Sequence, residues 1–235
     1  MKITWIGQGG YLVEAAGRRL VIDPYLSDSV TKKFGLHRLA PPVIVIKDLK
    51  PDVIIITHDH LDHFDPDTLQ PLMSQSNASL LGPQSVINHG LQMGFDEKRM
   101  TLVKIGEPVR FDGFIFTPTP AMHSDAFSVG LLLEAGGKRI YFSGDTLYNP
   151  ELVEKVCALT GERLDAAFVC MNGRLNNMNS KEAAKFVARL KPGMAIPMHY
   201  GMFAENTADP NEFVDDCHAL GMSTLVLETG GSTEI

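Results

Sequence analysis

Cysteine is scarce in this chain, with only Cys157, Cys170 and Cys217 among 235 residues. Three thiols cannot all pair, and no CxxC spacing brings two together. Reduced thiols in a cytosolic protein are the expectation. Long apolar runs are missing as well. Runs such as Val53–Ile56 and Ala166–Met171 fall far short of the roughly 20 residues that a membrane span needs. The opening segment MKITWIGQGGYLVEAAG alternates apolar and polar positions and breaks at Gln8, Gly9 and Gly10, unlike a signal peptide. A soluble, cytoplasmic protein with no membrane partner is therefore expected. There is no excess of positive charge: Lys and Arg number 21 against 28 Asp and Glu, a net charge of −7. Affinity for nucleic acid rests on neutralising phosphates, so a nucleic-acid partner is disfavoured. No charge block, Pro/Ser linker or short repeat divides the chain. With 44% hydrophobic and 21% charged residues the composition is that of a globular protein. One domain over residues 1–235 is expected.

What is present is a series of short elements. Lys2–Ile6, Tyr11–Ala15 and Arg19–Ile22 read as a meander broken by glycines. Val53–Ile56 reads as a buried strand. Pro66–Gln75 reads as a helix with Asp65 as its cap and Pro66 at the first helical position. Strands at Leu80–Leu81 and Thr101–Ile105 flank a helix near Pro83–Met93. Phe111–Thr117, Ser128–Ala135 and Arg139–Phe142 read as strands, with Gly136-Gly137 as a hairpin turn. Then come a helix over Pro150–Leu159 capped by Asn149, a strand at Asp165–Val169, and a helix over Ser180–Leu190 capped by Ser180. Asn177 and Asn179 shape the loop before that helix and help to cap it. Met194–Pro197 is strand-like, Pro210–Leu220 is the last helix, and Ser223–Leu227 is the last strand. Strands first and strand–helix alternation later indicate an α/β sandwich.

The chemistry concentrates after the Val53–Ile56 strand. THDHLDHFDP places His58, His60, Asp62 and His63 within six residues. Three imidazoles and a carboxylate so close together suit a first-row divalent metal. His58 and His60 are two apart, so on an extended chain they project to one side. Asp62 and His63 lie just beyond, where a turn can aim them at a second ion. The alternative is a polar loop capping the next helix, a job Asp65 can do without three histidines. His123, Asp145 and His199 each follow the end of another apolar strand. Sites in layered α/β folds gather where strands end on one side, so these strand ends can bring seven ligand-type residues to one point. His37, His89 and His218 lie outside this pattern and are read as ordinary. The basic stretch TKKFGLHRL is read as a solvated loop.

In order and character, THDHLDH, His123, Asp145 in SGDT and His199 resemble the metallo-β-lactamase superfamily. The resemblance runs from Asp23 to His199. It implies a four-layer αββα sandwich, the metallo-β-lactamase fold, with a dinuclear site on one edge. It also implies that His58, His60 and His123 hold one metal, that Asp62, His63 and His199 hold the other, and that Asp145 bridges them. Asp23 in VIDPY matches an acidic residue that supports such a site from behind; it is equally a turn residue before Pro24. The segment from Cys170 through PMHYGMF, with Asn172-Gly173-Arg174 and Asn177-Met178, is similar to the ascorbate-6-phosphate lactonase-like branch. That branch implies manganese or zinc, a phosphorylated lactone as substrate, and a homo-oligomer.

Two dications roughly 3.5–4 Å apart would share a bridging hydroxide as nucleophile, and Asp62 is the candidate catalytic residue that orients it or takes a proton. The donor set has no thiolate, which leaves zinc, manganese or iron open. Arg174 is a candidate for holding an anionic small-molecule substrate, or else a solvated surface arginine. Asn172 either meets substrate or holds its loop. Tyr200 either lines the pocket or packs. The reading is a metal-dependent hydrolase of a small ester-like substrate. The alternatives are a phosphodiesterase and a non-hydrolytic iron protein.

Overall fold

In the computed structural model, residues 1–161 and 163–235 are described. The first half builds one sheet. β1 (Lys2–Gly7), β2 (Gly10–Ala15) and β3 (Arg18–Ile22) form an antiparallel meander, and β4 (Val53–Ile55), β5 (Ser79–Gly82) and β6 (Met100–Leu102) add to it in parallel. Helices α1 (Ser29–Phe34), α2 (Ile46–Leu49), α3 (Pro66–Gln75) and α4 (Gln84–Gln92) fill the connections. The second half repeats the plan. β7 (Val109–Phe111), β8 (Phe114–Pro120), β9 (Val129–Ala135) and β10 (Lys138–Phe142) are antiparallel, and β11 (Ala166–Cys170) and β12 (Met194–Met198) follow in parallel. Here α5 (Pro150–Thr160), α6 (Ser180–Leu190) and α7 (Pro210–Ala219) make the crossovers. A last strand, β13 (Ser232–Glu234), returns to the free edge of β1. None of the described helices is long and apolar enough to cross a membrane.

Period-two alternation sorts the side chains into layers. Leu20, Ile22, Val53, Ile55 and Leu81 face the core between the sheets, while Val21, Ile54 and Leu80 face Leu69, Leu72 and Met73 of α3 and Val86 of α4. Tyr11 of the first sheet stacks near Phe142 and Phe168 of the second, with ring centroids 5.1 and 4.9 Å apart. On the far face of the second sheet, Tyr141 lies 5.8 Å from Phe186 of α6. The result is the expected four-layer αββα sandwich.

Several local expectations are corrected. Phe111–Thr117 is not one strand: Asp112-Gly113, at φ 36° and 91°, folds it into the β7–β8 hairpin, the turn that a left-handed Asp-Gly pair favours. Thr101–Ile105 pairs only as far as Leu102. Ser223–Leu227 keeps a single bridge, Thr224 to Ala195; Leu227 leaves the sheet edge for the core, and the polar β13 is the final strand instead. Ser180 does not cap α6. Asn179 does, in a reciprocal box with Glu182. Asp65 stands at the start of α3 but does not cap its backbone. Its carboxylate accepts from the backbone of Leu26 and Ser27 and from the hydroxyls of Ser27, Ser29 and Thr68, so it pins the segment before α1. Lastly, the stretch read as a solvated loop, Thr31–Leu39, is mostly exposed but begins as the helical end of α1, Thr31–Phe34; Val30, just before it, is buried against Tyr25, Met202 and Phe203.

Candidate metal centre

The strand directions decide where the site lies. β1, β3 and β4 run the same way, and so do β8, β10, β11 and β12 in the other sheet. Gln8, Asp23 and His58 follow the ends of the first set, and His123, Asp145, Asn172 and His199 follow the second. Hydrogen bonds from Val129 N to Thr57 O (3.1 Å) and from His199 N to Gln8 O (3.3 Å) tie the two edges together. After His60 the chain turns tightly, with His63 N and Phe64 N both donating to His60 O, and this brings Asp62 and His63 back beside His58. Gly9 lets the first sheet close on the site: a Cβ there would sit 2.7 Å from Cε1 of His63. Gln8, Asp23 and His199 all have left-handed backbone, at φ 53°, 40° and 69°. Such conformations cost energy in non-glycine residues and cluster at functional sites.

The seven expected residues come together. Ligand atoms within 4.8 Å of one another form three sets: His58, His60 and His123; His58, His63 and Asp145; and Asp62, His63 and His199. Asp145 Oδ2 lies 3.1 Å from His199 Nε2, 3.5 Å from His63 Nε2 and 3.9 Å from His123 Nε2. Asp62 Oδ2 lies 3.5 Å from His199 Nε2 and 3.8 Å from His63 Nε2.

The second nitrogen of each ring fixes which atom faces the centre. The Thr57 hydroxyl donates to Asp23 Oδ2 at 2.6 Å and so accepts from His58 Nδ1 at 3.0 Å. His63 Nδ1 is 2.8 Å from the same Asp23 oxygen. The Asn176 carbonyl holds His123 Nδ1 at 3.1 Å, and Ser124 Oγ is 3.3 Å from His60 Nε2. His60 Nδ1 and His123 Nε2 then face each other at 3.0 Å. His58 Nε2, His63 Nε2 and Asp145 Oδ1 are buried without a hydrogen-bond partner. Unpartnered buried polar atoms are costly, and a bound cation is the partner that satisfies two imidazole lone pairs and a carboxylate at once. The residues therefore fit divalent metal, with imidazole and carboxylate donors and no thiolate.

Protonation follows the same division. Burial, with His63 nearby, holds His58 well below the usual histidine range, and burial also lowers His123. Burial opposes charge on His63 and His199 too, but Asp145 and Asp62 outweigh it; His63 is raised well above its ordinary value and His199 is pushed up to about 9. For Asp145, burial favours the neutral form, but His199 and His63 hold its carboxyl well below the ordinary range.

Sequence reasoning missed several supports. Gln8 is buried and its amide donates to Asp62 Oδ2 at 2.7 Å, 3.0 Å from His199 Nε2. Its position after a strand end was the available signal. Asn177 does more than shape its loop: its amide donates to Asp145 Oδ2 at 2.9 Å and to Asn172 Oδ1 at 3.1 Å. His89 is not a bystander. It lines the cavity above the centre, stacks on Phe64 at 4.1 Å, and meets Asp59 through Nδ1 at 2.5 Å. The cavity, about 610 Å³, is lined by His60, Asp62, His123, Asp145 and His199 among others. Asn172, Arg174 and Tyr200 do not line it. Asn172 is tied to Asn177 and Asn206. Arg174 is exposed. Tyr200 donates to Leu227 O at 2.5 Å and packs 4.7 Å from Trp5, the packing alternative. His37 pairs with Glu205 on the surface.

A largely buried cluster of five imidazoles and two carboxylates at the shared edge of an αββα sandwich is a candidate divalent-metal centre, and residues 18–200 match the beta-lactamase superfamily domain. The chain belongs to that superfamily and, within it, to the UPF0173 metal-dependent hydrolase family. It is 32% identical to a UPF0173 protein of Pyrococcus furiosus over 91% of this chain and 89% of that one. It is 31% identical to a UPF0173 metal-dependent hydrolase of Carboxydothermus hydrogenoformans over 98% of each. Among solved structures it is similar to Igni18, a metallo hydrolase of Ignicoccus hospitalis, at a TM-score of 0.79 and 26% identity over 100% of this chain and 98% of that one.

Proposed function

We propose that this chain hydrolyses a small ester-like substrate, in the first instance a lactone, with two divalent metals, manganese or zinc, held at the strand ends. His58, His60 and His123 would hold one ion, Asp62, His63 and His199 the other, and Asp145 both. The observations that support this are two ligand triads with Asp145 Oδ2 within 3.9 Å of His123 in one and 3.1 Å of His199 in the other, together with the unpartnered atoms His58 Nε2, His63 Nε2 and Asp145 Oδ1. Two bound dications lower the pKa of water toward neutrality and draw charge from the substrate's carbonyl oxygen. The chain's own residues do the rest. Asp62, held by Gln8, aligns the attacking water and accepts its proton on a carboxylate oxygen. Asp23 and Thr57 keep Nδ1 of His63 and His58 occupied, so that Nε2 faces the centre. Asn177 keeps Asp145 from rotating.

The test is a side-by-side assay. Protein loaded with manganese or zinc is offered an anionic lactone and a generic phosphodiester, with a chelated control. Chelator-sensitive lactone opening is the expected result. Cleavage of the diester alone would replace the lactone reading with a phosphodiesterase. Full metal occupancy with turnover of neither would overturn the hydrolase reading.

A further inference from the structure

The cavity has a wall that metal binding does not use. Val30 and Phe34 of α1, Leu36 just after it, Leu61 of the histidine loop and Leu175 of the loop after β11 line it together. Phe34 and Leu175 are 61% and 65% exposed. Leu175 also has left-handed backbone, at φ 50°. A leucine in that conformation is strained and here gains almost nothing from burial. Large apolar side chains held open at a pocket mouth mark a ligand surface. Lys33 is the one lysine or arginine among the lining residues, and its ammonium lies 5.4 Å from the Phe34 ring. A sugar phosphate needs several polar partners along its length, and beside these five apolar side chains the wall offers it only Lys33 and Asn176.

We propose that the substrate is an ester or lactone with an apolar acyl chain, which lies between Phe34 and Leu175 while its carbonyl reaches the histidines. This rests on the hydrolase reading above and names the substrate class of the same site. In the reaction, water oxygen bonds to the acyl carbon, the acyl carbon–oxygen bond breaks, and the departing alkoxide takes a proton. One water is consumed, a carboxylate and an alcohol form (one molecule carrying both when a lactone opens), and one proton is released to solvent. The chain stays on the carboxylate, so product binding reports the same wall without turnover.

The experiment measures binding of butanoate, hexanoate and octanoate to metal-loaded protein by calorimetry, beside turnover of their p-nitrophenyl esters. Burial of four further methylenes is expected to make octanoate bind at least about tenfold tighter than butanoate, with KM falling in parallel. Phe34→Ser and Leu175→Asn are expected to cut that preference to about threefold or less, with metal content unchanged. Both positions are exposed, and asparagine tolerates the left-handed backbone. A flat series in the unaltered protein, or a preference that both variants leave intact, would overturn the proposal. A chain-length preference in binding without turnover of any ester would sink the hydrolase reading and leave the apolar site standing. Turnover that ignores chain length would do the reverse.

Discussion

Each imidazole of the centre is defined by what its far nitrogen touches, and Asp23 serves two of them, directly through His63 and through Thr57 to His58. Asp23→Asn keeps the size and the left-handed backbone but removes the charge. Metal affinity is expected to fall roughly 10–100-fold in competition with a chromogenic chelator; a change within about twofold would show that Asp23 is only a turn residue. Protons compete at the same atoms. In protein stripped of metal, Asp145 and Asp62 favour protonated His199 and His63 against the effect of burial, His199 at about 9. A dication needs the neutral rings, so binding at pH 7 displaces protons. Apparent affinity is expected to rise with pH up to about 9 and to fall below it. Calorimetry in buffers of different ionisation enthalpy reads the released protons directly. The ligands were legible in the sequence because histidine and aspartate are distinctive donors placed just after apolar runs. Gln8, Thr57 and Asn177 were not, because uncharged polar residues are common at turns and their partners lie 54, 34 and 32 residues away or in the folded edge. For Tyr200 adjacency to His199 left lining and packing both open, and the structure shows the packing, with the hydroxyl on Leu227 O and the ring against Trp5.

At the scale of elements, local chemistry accounts for most of what could be read. Asn149 accepts from Glu151 N and Leu152 N at 2.9 and 3.1 Å and starts α5 at Pro150. Asn149→Ala is expected to lower stability by about 1 kcal/mol in urea unfolding, with metal content unchanged, because α5 packs on the outer face and not at the strand ends. Elements with a strong pattern, such as α3 and α6, were legible to the residue. Those that depend on a partner were not. β13 has three polar residues, Ser232, Thr233 and the charged Glu234, and pairs along the open edge of β1. α1 shows little pattern in its sequence, but Asp65 fixes its approach and Tyr25 and Phe203 receive Val30.

At the scale of the whole molecule, two similar half-structures meet face to face, each a meander followed by parallel strands. The meeting puts seven strand ends on one edge, and the centre is assembled there from residues 8 to 199. The sandwich could be inferred from alternation and from the histidine motif. The cavity's apolar wall could not, since it joins α1 to a loop more than a hundred residues later. The central claim is that seven side chains hold two ions as two triads sharing Asp145. The direct measurement is metal per chain by mass spectrometry after saturation and desalting, in the unaltered protein and in His60→Ala, His199→Ala and Asp145→Ala. Two ions per chain are expected, with one lost in each histidine variant and both weakened in Asp145→Ala. A single ion at saturation, or full retention in Asp145→Ala, would contradict it.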